Sequence, residues 1–219
     1  MVIRAHLDKE LQELHYSILA MGGLTEEAID KAIRSLVKQD VELAEKVIEN
    51  DDVIDKMEID IVDKCIKLIA TQQPIGKDLR IIFTSSRIVT DLERIADHAV
   101  DIAKATKRLA NEKYIKPLID IPRMAEIVRQ MIKESLDAYI NEDINLAEET
   151  CKKDDIVDAL YKQIFRELLT FMMEDPRTIS QATQFLFICR YLERVADHAT
   201  NICEWVIYRV TGERKDLNI

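Results

Sequence analysis

The sequence predicts an all-α protein, built as two pseudo-repeated three-helix bundles in tandem, with six long helices. Glycine and proline are scarce, with four of each in 219 residues, which indicates few turns and long elements. From the start of the chain, apolar residues recur at the three- and four-residue spacing of a helix. The clearest row is formed by Leu7, Leu11, Leu14, Ile18 and Met21.

An internal repeat indicates the tandem arrangement. Segments 91–103 (DLERIADHAVDIA) and 191–203 (YLERVADHATNIC) are identical at eight of thirteen positions, at an offset of 100. Upstream, NDDVID at 50–55 corresponds to KDDIVD at 153–158, so both halves run in the same order. We therefore place two three-helix repeats on either side of a linker. The boundaries are 1–113 for the first repeat, 114–122 for the linker and 123–219 for the second repeat.

Three helices are predicted in the first repeat. The first runs from about 4 to 39, and the pair Gly22–Gly23 favours a bend midway along it. Asp40 is the expected N-cap of the second helix, at about 41–71. Pro74 and Gly76 then break the chain before the third helix, which runs from about 78 to 113.

The second repeat shows the same punctuation. Pro122 suits the first turn of helix four, and helix five follows Asp143. Pro176 ends helix five. Thr178 with Gln181 has the spacing of a capping box and is predicted to begin helix six.

Composition and charge exclude several classes of protein. The net charge is −10 with a pI of about 5.0 and no dominant basic patch, so we expect no nucleic-acid binding. No apolar run approaches the roughly 20 residues of a membrane span, and the charged N-terminus does not resemble a signal peptide. The four cysteines form no CxxC pair, which favours reduced thiols and a soluble, cytoplasmic protein.

Acidic residues four apart occur on two helices of each repeat. Such like-charged pairs destabilise a helix by a few tenths of a kcal/mol. A cation between the helices would explain four pairs at repeat-related positions, because carboxylates are ligands for Mg, Mn, Ca and oxidised Fe. A solvated acidic surface is the alternative. The candidate ligands are Asp51, Asp55, Glu93, Asp97, Asp154, Asp158, Glu193 and Asp197, with Asp101 and Asn201 extending two of the rows by one turn.

The residues next to these pairs indicate no catalytic site. His98 and His198 follow the aspartates by one residue, about 100° around the helix, which is a poor direction for sharing their metal. Arg94 and Arg194 are predicted to form salt bridges. The sequence shows no nucleotide-binding loop, no nucleophile with an obvious base and no ExxH signature of di-iron proteins, so we expect no enzyme.

The segments LERIADHAVDIA and LERVADHATNIC resemble the repeated LERIGD-type motif of the PhoU family, and QQPIGKDLR at 72–80 resembles the loop before the first such helix. The resemblance covers nearly the whole chain. It implies two pseudo-repeated three-helix bundles. It also implies a cytoplasmic negative regulator of phosphate uptake and of the phosphate-starvation response. Its partners would be the ATPase of the phosphate ABC transporter and a sensor histidine kinase.

The resemblance also implies metal binding, since some members carry multinuclear clusters, iron among them, on E(D)xxxD motifs. We expect iron on the carboxylates named above, with Mn, Mg, Zn or Ni as alternatives. We also expect a homodimer that reaches the membrane only through its partners. Many relatives have glycine where Ala96 and Ala196 stand, and Asn201 replaces the repeat-related Asp101. A metal-dependent hydrolase of phosphate compounds and a metal store are the alternative functions.

Overall fold

The computed structural model describes residues 2–217, and within this range the chain is helical, with no strand. It confirms the all-α tandem fold. The helices are α1 (Val2–Lys38), α2 (Val41–Gln72), α3 (Lys77–Leu109), α4 (Asp120–Asn141), α5 (Ile144–Cys151), α6 (Asp154–Glu174) and α7 (Ile179–Thr211), with a 3₁₀ turn at Pro176–Thr178 before α7.

The predicted fifth helix is divided into α5 and α6 by a turn at Lys152 and Lys153. Its counterpart in the first repeat, α2, is continuous. At the break, Glu134 of α4 accepts hydrogen bonds from the ammonium of Lys153 at 2.6 Å and from the hydroxyl of Thr150 at 3.2 Å. The interruption therefore coincides with a contact from the preceding helix.

The capping predictions have different outcomes. Asp40 caps α2 as expected, since its carboxylate accepts from the backbone N–H of Leu43 at 2.9 Å. The capping box of Thr178 and Gln181 is wrong, because no side chain caps α7. Thr178 has helical backbone angles within the 3₁₀ turn, whereas an N-cap requires an extended backbone. Its hydroxyl donates instead to the carbonyl of Phe171 at 3.0 Å.

Gln181 fastens the linker between the repeats. Its side chain is buried, and its Oε1 accepts from the backbone N–H of Ile115 at 2.6 Å. The linker residue Tyr114 donates its hydroxyl to the carbonyl of Leu36 at 2.7 Å and packs edge-on against Phe185. The linker is thus bound to both repeats, and α4 begins at Asp120, inside the range 114–122 predicted for the linker.

The helices α3 and α7 form the centre of the molecule. In the first repeat α3 packs against α1 and α2, in the second α7 packs against α4, α5 and α6, and α3 and α7 pack against each other. They run antiparallel: Arg80 near the start of α3 reaches the carbonyl of Arg209 near the end of α7, while Arg108 near the end of α3 reaches Gln184 near the start of α7. Repeat-related residues of the two LER segments therefore meet near the crossing.

A glycine of α1 permits close contact with α4 of the other repeat. The helix α1 is continuous through Gly22 and Gly23. A Cβ on Gly22 would lie 2.6 Å from Cδ1 of Leu136 on α4, whereas one on Gly23 would meet nothing within 4 Å. A side chain at position 22 would therefore have to displace that of Leu136, whereas Gly23 faces open space.

Candidate metal centre

Four predicted carboxylates of the first repeat, Asp51, Asp55, Glu93 and Asp97, face one another between α2 and α3. We call them the first cluster. All four are half-buried. Burial raises the pKa of Asp51 to about 6, and the negative charges of Asp55 and Asp97 add to the effect. The pKa of Asp55 is raised by burial and by Asp97 across the helix interface.

The acidity of the first cluster is only partly balanced by cations. Burial raises the pKa of Glu93, with a further contribution from Asp97 and an opposing one from Arg94. Arg94 lies 3.4 Å from the Glu93 carboxylate and 3.1 Å from that of Asp97, both measured from guanidinium nitrogens. Oδ1 of Asp55 is buried and has no hydrogen-bond partner. A buried, unpaired carboxylate oxygen is costly and is usually satisfied by a donor or an ion.

The second cluster, Asp154, Asp158, Glu193 and Asp197, repeats this arrangement between α6 and α7. Burial raises the pKa of Asp154 to about 6, with contributions from Asp197 and Asp158. The pKa of Glu193 is raised by burial and by Asp197. Burial likewise raises the pKa of Asp197. Oδ1 of Asp154 and Oε2 of Glu193 are buried without a hydrogen-bond partner.

Basic side chains also pair with the second cluster. Arg190 forms an ion pair with Glu193, and Nζ of Lys162 lies 3.0 Å from the carboxylate of Asp158. In both repeats, then, exposed cations approach the carboxylates from outside while other carboxylate oxygens point inward unsatisfied.

These donors fit a hard cation in chemistry, since all are carboxylates and three of them, Asp55, Asp154 and Glu193, have a buried oxygen without a hydrogen-bond partner. Their present geometry is not that of a formed site. Over residues 2–217, no three or more His, Cys, Asp or Glu side chains come together with the spacing of metal ligands.

Asp101 and Asn201 lie in a groove between α3 and α7 and contribute to the raised pKa of none of the cluster carboxylates. The groove has a volume of about 820 Å³. Asp101 approaches Nδ1 of His98 at 3.5 Å, and the amide of Asn201 donates to Asp91 at 3.2 Å. The groove is lined by Asp51, Arg94, Asp97, His98, Val100, Asp101, Lys104, Arg194, Asp197, His198 and Asn201.

The two histidines make contacts across the repeats that the sequence analysis missed. Nδ1 of His198 lies 2.9 Å from Oδ1 of Asp91 in the other repeat. His98 instead stacks on Tyr191, with ring centroids 5.7 Å apart. Asp91 and Tyr191 occupy equivalent positions at the offset of 100, so the two contacts are related by the repeat. In the sequence, these contacts are indicated only by the change from Asp91 to Tyr191 at the first position of the two aligned segments.

None of the helices between residues 2 and 217 is long and apolar enough to cross a membrane.

Fold and site together define a class: a helical protein of two tandem repeats, each with four carboxylates between two of its helices. A family model of the PhoU domain matches twice, at residues 18–106 and 121–206. The chain belongs to the PhoU family.

Relatives match along nearly the whole chain. The chain is 52% identical to the phosphate-specific transport system accessory protein PhoU homolog of Clostridium acetobutylicum, over 98% of this chain and 99% of that protein. It is 35% identical to the phosphate-specific transport system accessory protein PhoU of Escherichia coli, over 96% of this chain and 88% of that protein. The crystal structure of PhoU from Pseudomonas aeruginosa superposes with a TM-score of 0.91 and 40% identity, over 94% of this chain and 99% of that chain.

Proposed function

We propose that this chain is a cytoplasmic negative regulator of phosphate uptake and of the phosphate-starvation response. It acts as an adaptor that contacts the ATPase of the phosphate ABC transporter and a sensor histidine kinase, and it is not an enzyme. The observation that carries the proposal is the match to phosphate-specific transport system accessory proteins over nearly the entire chain. The long exposed helix faces are suited to regulation by protein contact.

Metal binding by the two clusters is the second part of the proposal. It is supported by the raised pKa values of Asp51 and Asp154 and by the unpartnered buried oxygens of Asp55, Asp154 and Glu193. Iron is the ion we expect, with Mn, Mg, Zn or Ni as alternatives. A bound cation would neutralise the carboxylates and hold α2 to α3 and α6 to α7. The residues that would hold it are Asp51, Asp55, Glu93 and Asp97 in one repeat and Asp154, Asp158, Glu193 and Asp197 in the other.

A deletion experiment tests the regulatory part. Removing the gene is expected to de-repress phosphate-responsive genes and to leave phosphate uptake unchecked in phosphate-rich medium. Both effects should be reversed by the wild-type gene in trans. Two results together would refute the adaptor function and favour the hydrolase function. They are unchanged reporter expression and uptake in the deletion strain, and steady release of phosphate from phosphate esters by the pure protein.

Elemental analysis tests the metal part. Protein purified without chelator or metal-affinity tag should carry metal. Glu93→Ala with Asp97→Ala should remove about half of it. The control, Asp60→Ala, changes an exposed acid of α2 outside the cluster and should change nothing. Equal metal content in the double variant and the control would show that the first cluster binds no ion.

A further inference from the structure

An exposed apolar surface lies where α3 begins and α7 ends. Leu79 and Phe83, four residues apart on one face of α3, are 40% and 42% exposed. Ile75, in the loop before α3, is 81% exposed. Phe83 packs edge-on against Trp205 of α7, with ring centroids 5.9 Å apart. Trp205 in turn meets Tyr208 edge-on at 6.2 Å, so the apolar row continues from α3 onto α7.

Two arginines flank this surface. The guanidinium of Arg87, on the same face of α3, lies 5.5 Å from the centre of a Trp205 ring, and that of Arg214, in the segment after α7, lies 5.2 Å from it. Both arginines are exposed. Neither forms an ion pair with any carboxylate among residues 2–217. Stacking on the indole orients a guanidinium but leaves its N–H edges free for a partner's oxygens.

Two carboxylates close to the arginines have other partners. Asp91 and Glu204 line a small pocket together with both arginines and Trp205. Oδ1 of Asp91 accepts from Asn201 and contacts His198, and Oε1 of Glu204 accepts from the backbone N–H of Leu217 at 2.7 Å. Arg87 and Arg214 therefore present guanidinium groups without ion pairs beside the exposed ring of Phe83 and the half-buried ring of Trp205.

We propose that this surface, formed by Ile75, Leu79, Phe83, Arg87, Trp205 and Arg214, docks an acidic amphipathic helix of a partner protein. The proposal rests on the proposed adaptor function and names the surface through which it acts. The row Leu79–Phe83 suits the apolar face of a helix laid across it. Arg87 and Arg214 complement carboxylates at the edge of that face, bound through two parallel N–H···O contacts.

Charge and composition favour this occupant over a membrane. A strongly acidic chain is repelled by an anionic bilayer, so two arginines give weak membrane attraction at best. Trp, Tyr and Arg, all present here, are the residues enriched where protein interfaces concentrate their binding energy.

Binding measurements test the surface. Wild-type protein, Arg87→Glu with Arg214→Glu, and Leu79→Ser with Phe83→Ser would be titrated against the purified transporter ATPase and the cytoplasmic part of the sensor kinase. We expect each double variant to weaken binding to one partner about tenfold or more. The arginine variant should lose most of its effect between about 50 mM and 300 mM salt, and the apolar variant should not.

The matched control is Arg123→Glu with Arg166→Glu, which makes the same charge change at exposed positions on α4 and α6. It should bind within about twofold of wild type. Circular dichroism and melting curves verify that all variants fold. Wild-type binding to neither partner would refute the adaptor function itself. Wild-type binding with unchanged affinity in both surface variants would refute only the docking surface.

Two further measurements identify other occupants. Sedimentation with phosphatidylglycerol vesicles should show no binding of the wild type. If the wild type binds the vesicles and the arginine variant does not, the surface binds a membrane and the proposed protein partner is wrong. Light scattering should give the same mass for wild type and surface variants. A loss of dimer in the variants alone would show that a second copy of this chain covers the surface, and would overturn the proposal.

Discussion

Replacing Asp51 by asparagine should stabilise the metal-free protein. Asparagine keeps the shape of the side chain and removes its charge. The pKa of Asp51 rises from 3.8 to about 6 because the carboxyl group is half-buried beside Asp55 and Asp97. At neutral pH the ionised group therefore opposes folding, and the variant lacks this penalty.

The magnitude follows from the pKa. An interval from 3.8 to about 6 corresponds to about 3 kcal/mol at full effect. Solvent reaches this half-buried position and Lys104 attenuates the repulsion, so we expect about 1 kcal/mol. For a chain of this size, that raises the melting temperature by about 2–4 °C. Asp154→Asn, at the equivalent position of the second repeat, should behave in the same way, since burial beside Asp197 and Asp158 raises its pKa to about 6.

The pH dependence has a definite sign. A carboxyl group whose pKa is raised by folding destabilises the protein above that pKa and ceases to do so as it becomes protonated. The advantage of Asp51→Asn should therefore be full above about pH 7 and shrink between about pH 6 and pH 4.

Thermal and urea denaturation in excess chelator measure the effect. The control is Asp60→Asn, an exposed acid on the same helix, which should leave stability unchanged. Added Mn²⁺ should stabilise wild type more than Asp51→Asn, so the difference in stability between the two proteins should shrink or change sign. If Asp51→Asn in chelator is no more stable than Asp60→Asn at pH 7.5, the repulsion inferred for the first cluster is wrong.

The remaining predictions concern packing and caps. Gly23→Ala should stabilise by about 0.5–1 kcal/mol, while Gly22→Ala should be less stable than Gly23→Ala by about 1–3 kcal/mol, since only its new Cβ meets α4; thermal melts of the pair decide this. Gln181→Ala should lower the free energy of unfolding by about 1–3 kcal/mol and speed hydrogen exchange at the amide of Ile115. Unchanged exchange there would contradict the hydrogen bond from Ile115 to Gln181. Asp40→Ala should cost about 1 kcal/mol in urea denaturation.

Features determined by local sequence were predictable. The N-cap at Asp40 depends only on the next few residues, and it forms as expected. Whether a Thr/Gln pair forms a capping box depends also on competing partners. Gln181 is instead buried against the linker, and Thr178 is held in a 3₁₀ turn. The break at Lys152–Lys153 likewise coincides with contacts to Glu134, a helix away, which periodicity does not reveal.

The candidate site divides in the same way. The repeat predicts which helices bear acidic pairs, and the structure turns those pairs toward each other between α2 and α3 and between α6 and α7. Contacts between the repeats could not be predicted from the sequence. The approach of His198 to Asp91 and the stacking of Arg214 on Trp205 depend on how α3, α7 and the segment after α7 are placed.

One short segment in each repeat serves three roles, and this links the clusters to the centre of the fold. In 91–103, Ala96 is buried in the core, while Glu93 and Asp97 on the neighbouring face belong to the first cluster. Segment 191–203 does the same for the second cluster, and α3 and α7 cross antiparallel. Asp97 and Asp197 consequently line one groove, with cationic side chains among them. The ion binding proposed above would therefore change the charge of the groove that lies between the two repeats.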